Sequence, residues 1–265
     1  MRCVWLSDVH LNFLKKNAFI GFLRTLQEHE ADAVLLSGDI AEAQRLCDYL
    51  FMIDIALQTK IYFVLGNHDF YRGSIIRTRQ AVATLVQDSR YLVYLTQVGV
   101  VQLTPATCLV GHDSWADGRL GDIERSDVEL NDFYLIEELV GLDSEERRDK
   151  LRELGEEAAA HFRRVLAEAV KSYRDIFVVT HVPPFKEACI HEGRISDDNY
   201  LPHYSCHSVG EVLRDTATSW PDHRFTVLCG HTHSAGQVRI LDNLEVYTAG
   251  AEYGEPVVQR VIECS

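Results

Sequence analysis

Asp8 and His10 stand two residues apart, as do His231 and His233, and between these pairs lie Gly38-Asp39, Asn67-His68-Asp69 and His181. Carboxylate, imidazole and carboxamide groups can bind a metal, move a proton or fill a hydrogen bond. Taken singly, each of these positions is compatible with a turn or a cap. Their shared setting distinguishes them. Each set directly follows a short apolar run: Cys3–Leu6, Ala33–Leu36, Ile61–Leu65, Ile176–Val179 or Phe225–Cys229. Residues i and i+2 of an extended chain point the same way. Asp8 and His10 can therefore reach one centre, and His231 and His233 can share a centre or span two. Mixed imidazole and carboxylate donors suit Mn, Fe, Zn or Ni rather than Ca or Mg alone. Seven ligands drawn from these nine groups are too many for one tetrahedral ion and suit two ions about 3.5–4 Å apart. Glycines at 38, 66 and 230 let the backbone turn tightly beside such a cluster.

The elements that must position these groups are legible in outline. The five apolar runs are rich in Val, Ile and Phe and nearly continuous, which is how strands covered on both faces read. Amphipathic stretches at Ala18–His29 and Ala43–Gln58 separate the first three, predicting a layered α/β arrangement. If the strands run parallel, their exits share one sheet edge, where ligand sites of such folds lie. Further on, Tyr91–Leu95, Val98–Leu103 and Thr107–Val110 read as close-set strands. Gln237–Leu241, Leu244–Thr248 and Val257–Glu263 form another group, with a hairpin expected at Asp242-Asn243. Arg125–Asp175 reads as mostly helical. Asp143 and Glu146 make a capping box, after which Leu151, Leu154, Ala158, Phe162, Val165, Leu166, Ala169 and Tyr173 recur at helical spacing. The mixed charges of Arg147-Arg148-Asp149-Lys150 are expected on the solvated face. The resulting picture is two sheets with helices outside, a single domain over residues 1–265 with a helical insertion at about 125–175.

Composition narrows the functional classes. A chain of 265 residues with 46% hydrophobic and 25% charged residues buries a substantial core. No apolar run approaches the roughly 20 residues of a membrane helix. The first apolar run meets Ser7 and Asp8 too soon for a signal peptide, so a cytoplasmic location is expected. The net charge of 26 − 40 = −14 opposes binding to a phosphate backbone, although carboxylates that ligate cations would carry less charge in the loaded protein. The seven cysteines are scattered without a C-x-x-C pair and read as buried, reduced thiols.

As a set, Asp8-x-His10, Gly38-Asp39, Gly66-Asn67-His68-Asp69, His181 and Gly230-His231-x-His233 resemble the five blocks of the calcineurin-like metallophosphoesterases, in that family's order. The resemblance implies a four-layer αββα fold, a two-sheet β-sandwich flanked by helices, with two divalent metal ions at one edge. Asp8, His10 and His233 would hold the first ion, Asn67, His181 and His231 the second, and Asp39 would bridge them. It also implies in-line attack on phosphorus by a water or hydroxide shared by the ions. His68 would stabilise or protonate the leaving oxygen, and Asp69 would orient the His68 imidazole and favour its charged form. Gly38-Asp39-Ile40-Ala41-Glu42-Ala43-Gln44 lacks the Arg-Gly of the phosphoprotein phosphatase branch, and Asp69 stands where that branch has Glu. The expected activity is therefore hydrolysis of a small or medium-sized phosphomonoester or phosphodiester. A nuclease and a non-catalytic metal-binding scaffold are the alternatives. Residues 111–119 and 185–207 are expected to shape the pocket, with Arg119 and Arg194 as candidates for a second phosphate contact. Oligomeric state is left open by the sequence.

Overall fold

The computed structural model of the chain describes residues 1–191 and 193–265. In order, the elements are β1 (Arg2–Leu6), α1 (Lys16–Glu28), β2 (Ala33–Ser37), α2 (Ala43–Leu57), β3 (Lys60–Val64), α3 (Ile75–Asp88), β4 (Leu92–Tyr94), β5 (Val101–Gln102) and β6 (Thr107–His112). There follow α4 (Asp132–Leu135), α5 (Ser144–Ala169), β7 (Asp175–Thr180), β8 (Ile190–His191), β9 (Arg194–Ile195), α6 (Leu201–Tyr204) and α7 (His207–Ser219). The chain closes with β10 (Arg224–Cys229), β11 (Gly236–Leu241), β12 (Leu244–Thr248) and β13 (Arg260–Glu263).

Two mixed sheets result. One has the order β13-β1-β2-β3-β4 and the other β11-β12-β10-β7-β6-β5. In the first, β1 to β4 run parallel and β13 closes the edge antiparallel. In the second, β12, β10, β7 and β6 run parallel between antiparallel edges. The near-continuous apolar strands divide by alternation into the faces of a four-layer αββα sandwich. Val4, Leu6, Val34, Leu36, Ile61 and Phe63 pack with α1 and α2 residues such as Phe22 and Leu50. Their alternates Cys3, Trp5, Leu35, Tyr62 and Val64 meet Leu109, Val179 and Leu228 of the other sheet. That sheet's outer face, through Val110, Val178 and Val227, is covered by α5 and α7. Burying each such large side chain contributes about 1.5–3 kcal/mol, so both faces of both sheets stabilise the same register.

The Asp143–Glu146 capping box opens α5, with the Asp143 carboxylate accepting from the N–H of Glu145 and Glu146 at 2.9 Å. The adjacent charges are less solvated than expected: Arg147 lies with its guanidinium 4.0 Å from the Phe133 ring centroid, covering an apolar face with a cation. The hairpin at Asp242-Asn243 forms. Val257–Glu263, grouped with that hairpin from sequence, instead supplies β13 to the opposite sheet, pairing with β1. Sheet membership of an edge strand depends on long-range pairing that local pattern does not encode. Helix α3, capped by Ser74 accepting from Arg77 N–H, has no counterpart in the sequence reading. Only Ile75, Thr78 and Val82 of it are buried, too short a stripe to stand out. Six of the seven cysteines are buried and none is paired. Among the described residues, no helix is long and apolar enough to cross a membrane.

Candidate metal centre

The parallel strands β1, β2, β3, β7 and β10 end at one edge of the sandwich, and hydrogen bonds zip their exits together. Asp8 N–H donates to Gly38 C=O and His10 N–H to Asp39 C=O, each at 3.0 Å. Gly230 N–H donates to His181 C=O at 2.8 Å. Two bonds cross between the sheets: His181 Nδ1 to Ser37 C=O at 2.9 Å and His231 N–H to Asp8 Oδ1 at 3.0 Å.

This edge is strained. Asp8, His10, Asp39, His231 and His233 all have φ between 40° and 73°, a left-handed region that costs an L-residue about 1–2 kcal/mol. Strain persists where the surroundings over-determine it, commonly at functional sites. The glycines make room. A Cβ on Gly66 would lie 2.1 Å from Asp39 Oδ1, and one on Gly230 would lie 2.0 Å from Asp8 Oδ2. Their use is therefore close approach rather than the tight turn expected of all three; only Gly38, at φ 92°, needs glycine's left-handed freedom.

Side chains from five exits converge. One ligand atom from each of Asp8, His10, Asp39 and His233 lies within 4.8 Å of all the others. His10 Nε2 faces His233 Nε2 at 3.1 Å and Asp39 Oδ2 at 3.8 Å, while His233 Nε2 is 3.5 Å from Asp8 Oδ1. The buried His10 Nδ1 has no hydrogen-bond partner among the described residues.

Beside this group lies a second convergence. His181 donates Nδ1–H to Ser37 C=O, so its Nε2 lone pair faces Asn67 Oδ1 at 3.1 Å and Asp39 Oδ1 at 3.4 Å. His231 donates Nε2–H to His203 C=O at 3.0 Å, leaving Nδ1 as a lone pair 3.1 Å from the same Asn67 oxygen. Asn67 is oriented from behind, since its Nδ2 donates to Asp132 Oδ1 at 2.8 Å. Acceptors thus face acceptors, and a cation is what satisfies such a set.

The electrostatics agree. Burial pushes the Asp8 carboxyl up, but His233, His181 and His10 outweigh it and hold Asp8 below the usual carboxylate range. Burial and the charge of Asp8 push Asp39 well above that range. Burial depresses His10 and His231 to about 3, which keeps the imidazoles neutral and able to ligate.

A sequence profile described as calcineurin-like phosphoesterase matches residues 1–235. The chain belongs to that family. Members normally bind a pair of divalent metal ions, and the donor set above fits such a pair. Among solved structures, a phosphopantetheinyl hydrolase from Mycobacterium tuberculosis superposes with a TM-score of 0.69 at 13% identity, over 95% of this chain and 89% of that one. A dimetal phosphatase from Danio rerio gives 0.57 at 15% identity, over 94% and 87%. The Thermus thermophilus protein TT1561 gives 0.55 at 15% identity, over 98% and 96%. At these identities the likeness concerns the fold. No curated protein matches the sequence.

In this family member, Asp69 departs from expectation. Its carboxylate does not meet the His68 ring; it turns inward and accepts from the N–H groups of Ile40, Ala41 and Gly66 at 2.7–2.8 Å. Asp69 thereby ties the loop after β2 to the turn after β3. The His68 ring instead stacks on Tyr71, with centroids 4.2 Å apart, and its Nε2 is 4.0 Å from Asp39 Oδ2. Burial, then His10, His181 and His233, lower its pKa to about 2, so the ring is neutral rather than charged.

His68, His233, Asn67 and Asp39 open into a cleft of about 320 Å³ whose walls include Glu129, Asp132, His191, Tyr204 and Tyr253. From residues 185–207, His191 and Tyr204 reach the cleft wall, and His203 acts through its carbonyl. From residues 111–119, Ser114 and Trp115 line a small cavity behind Asn67. Arg119 points elsewhere, pairing with Asp117 at 3.2 Å and Glu156 at 2.9 Å. Arg194 sits exposed on the β8–β9 hairpin opposite His191. Sequence reasoning missed Asp132, Tyr71 and Tyr253. Tyr71 was near enough to the Asn67 block to be suspected, but no spacing marks Asp132 or Tyr253.

Proposed function

We propose that the chain is a metal-dependent phosphoric ester hydrolase acting on a small or medium-sized phosphoester. Asp8, His10, Asp39 and His233 would hold one ion, and Asn67, His181 and His231, beside Asp39, would hold the other. The observation that carries this reading is the convergence of the His181 and His231 lone pairs on Asn67 Oδ1, beside the cluster of Asp8, His10, Asp39 and His233. Two divalent ions there would lower the pKa of a water and neutralise charge on the phosphoryl oxygens.

The protein's own groups do the rest. The Asp39 carboxylate is fixed by the N–H of His68 at 2.9 Å. The Asp132 carboxylate turns the Asn67 oxygen toward the imidazoles. His68, held by stacking on Tyr71 and with Nε2 partly open to the cleft, stabilises the leaving oxygen by donating a hydrogen bond from its neutral ring. Asp69 sets the position of His68 and Asp39 through the backbone of the two loops. A nuclease reading is disfavoured by the net charge of −14. A silent scaffold would have no use for a retained His68 beside a complete donor set.

Full-length protein stripped by chelator and given Mn or Zn should bind about two ions per chain and hydrolyse a generic aryl phosphate or bis-aryl phosphate. Metal uptake with no hydrolysis of either, across these metals and pH, would leave the scaffold reading in its place.

A further inference from the structure

The groups assigned so far deal with the phosphoryl centre; the organic part of the substrate must meet the cleft walls. Two flanks are aromatic. Tyr253 lies 4.6 Å from His10 and 4.7 Å from Phe13, centroid to centroid, on one flank. Both rings remain about half exposed, Tyr253 at 50% and Phe13 at 53%. On the opposite flank, Tyr204 stands perpendicular to His231 at 5.4 Å and leads through Tyr200 at 5.6 Å to His191. Large exposed rings gathered at a buried polar site mark a recognition surface rather than ordinary surface scatter.

Charge is the second observation. Among the described residues, no Lys or Arg lines the cleft, whereas Glu129 and Asp132 do. Arg147 reaches toward Glu129 at 3.4 Å but keeps its guanidinium over Phe133. A second phosphate on the substrate would find no cation beyond the metal pair and would meet two carboxylates.

The third observation is direction. The His68 ring is 4.7 Å from His10 and 6.2 Å from Tyr253, so a group held beside His68 has the Tyr253 ring, and Phe13 beyond it, within reach. We infer that the substrate carries a single phosphoryl group on an uncharged, planar heteroaromatic moiety, as a nucleoside monophosphate does, with that ring stacked on Tyr253 and Phe13. This inference rests on the phosphoesterase reading of the same cleft and names its substrate class.

The test uses full-length, Mn-loaded protein with three probes: adenosine monophosphate, ribose 5-phosphate and adenosine diphosphate. Stacking of one base predicts a kcat/KM for adenosine monophosphate roughly tenfold above that for ribose 5-phosphate. The diphosphate should be the poorer nucleotide. Calorimetric titration of the turnover-suppressed His68→Ala protein should show the same ordering in Kd. Tyr253→Phe should keep the base preference and Tyr253→Leu should bring it toward unity; because Tyr253 is half exposed, neither change removes core packing. Equal kinetics and binding for the first two probes would overturn the inference, as would a diphosphate preference or a base preference intact in Tyr253→Leu. Hydrolysis of aryl phosphate without base preference sinks this inference alone. Failure to hydrolyse any aryl phosphate sinks the phosphoesterase reading beneath it.

Discussion

Asp39 and Asp113 are both buried carboxylates just beyond the end of a parallel strand, yet they sit in opposite company. Asp113, after β6, receives only donors: Leu65 N–H at 2.8 Å, Arg79 Nε at 2.9 Å, Tyr94 OH at 2.5 Å and Thr96 OH at 2.7 Å. Burial raises its pKa, but Arg79 and His112 outweigh burial and the net shift is downward. Asp39, after β2, has the His68 N–H and then imidazole nitrogens at 3.4–4.0 Å, and its pKa is driven up. Buried carboxyl groups are tolerated when donors surround them. A carboxylate whose neighbours are other acceptors points instead to a cation. Asp113 thus ties β3, α3, β4 and β6 together, while Asp39 faces the candidate metal cluster.

If that contrast is sound, damage to the two clusters must separate. His68→Ala should lower kcat by about 10²–10³-fold, the span typical of a lost hydrogen-bond donor to the charge that develops on a reacting oxygen, while metal analysis still finds both ions. Loss of the ions would place His68 among the ligands instead. At the other cluster, Asp113→Ala should cost about 3 kcal/mol of stability, because it removes the buried partner of Arg79 and leaves that guanidinium only the more exposed Glu157 at 2.7 Å. The metal content of its folded fraction should be unchanged. The Asp113 contribution is present above the unfolded carboxyl value near 3.9 and is lost as pH falls through its lower folded pKa. Acid unfolding of Asp113→Asn should accordingly depend less on pH below about 4 than that of the parent. The smallest effect expected is at Asp132, which touches the site only through Asn67 and Tyr71. Asp132→Ala should weaken one ion's binding by roughly 10–100-fold and spare the other, as loss of a ligand's orienting partner does. Equal weakening of both ions would mean the two donor sets are not distinct.

Much of the positioning frame could be read in advance. The five buried strands fall within a residue or two of their apolar runs, because a strand covered on both faces must be apolar throughout. The α5 start was visible in Asp143 and Glu146, since a cap is a local device. Failures came where the decisive partner is distant. The sheet to which β13 belongs depends on β1, far away in the chain, as the register pair Cys3–Ile262 shows. The target of Asp69 depends on how the loop after β2 lies against the turn after β3. The role of Arg119 depends on α5 and α7, which supply Glu156 and Ser208.

The sequence by itself determined which chemical groups stand at the strand exits, since a strand must end where apolar residues give way to polar ones. It also determined the family those groups mark. Only the tertiary structure decided which lone pairs meet. Hydrogen bonds donated to the Ser37 and His203 carbonyls and to the Asp132 carboxylate select the tautomers of His181 and His231 and the rotamer of Asn67. Those three partners come from other elements, and no pattern along the chain sets their distance.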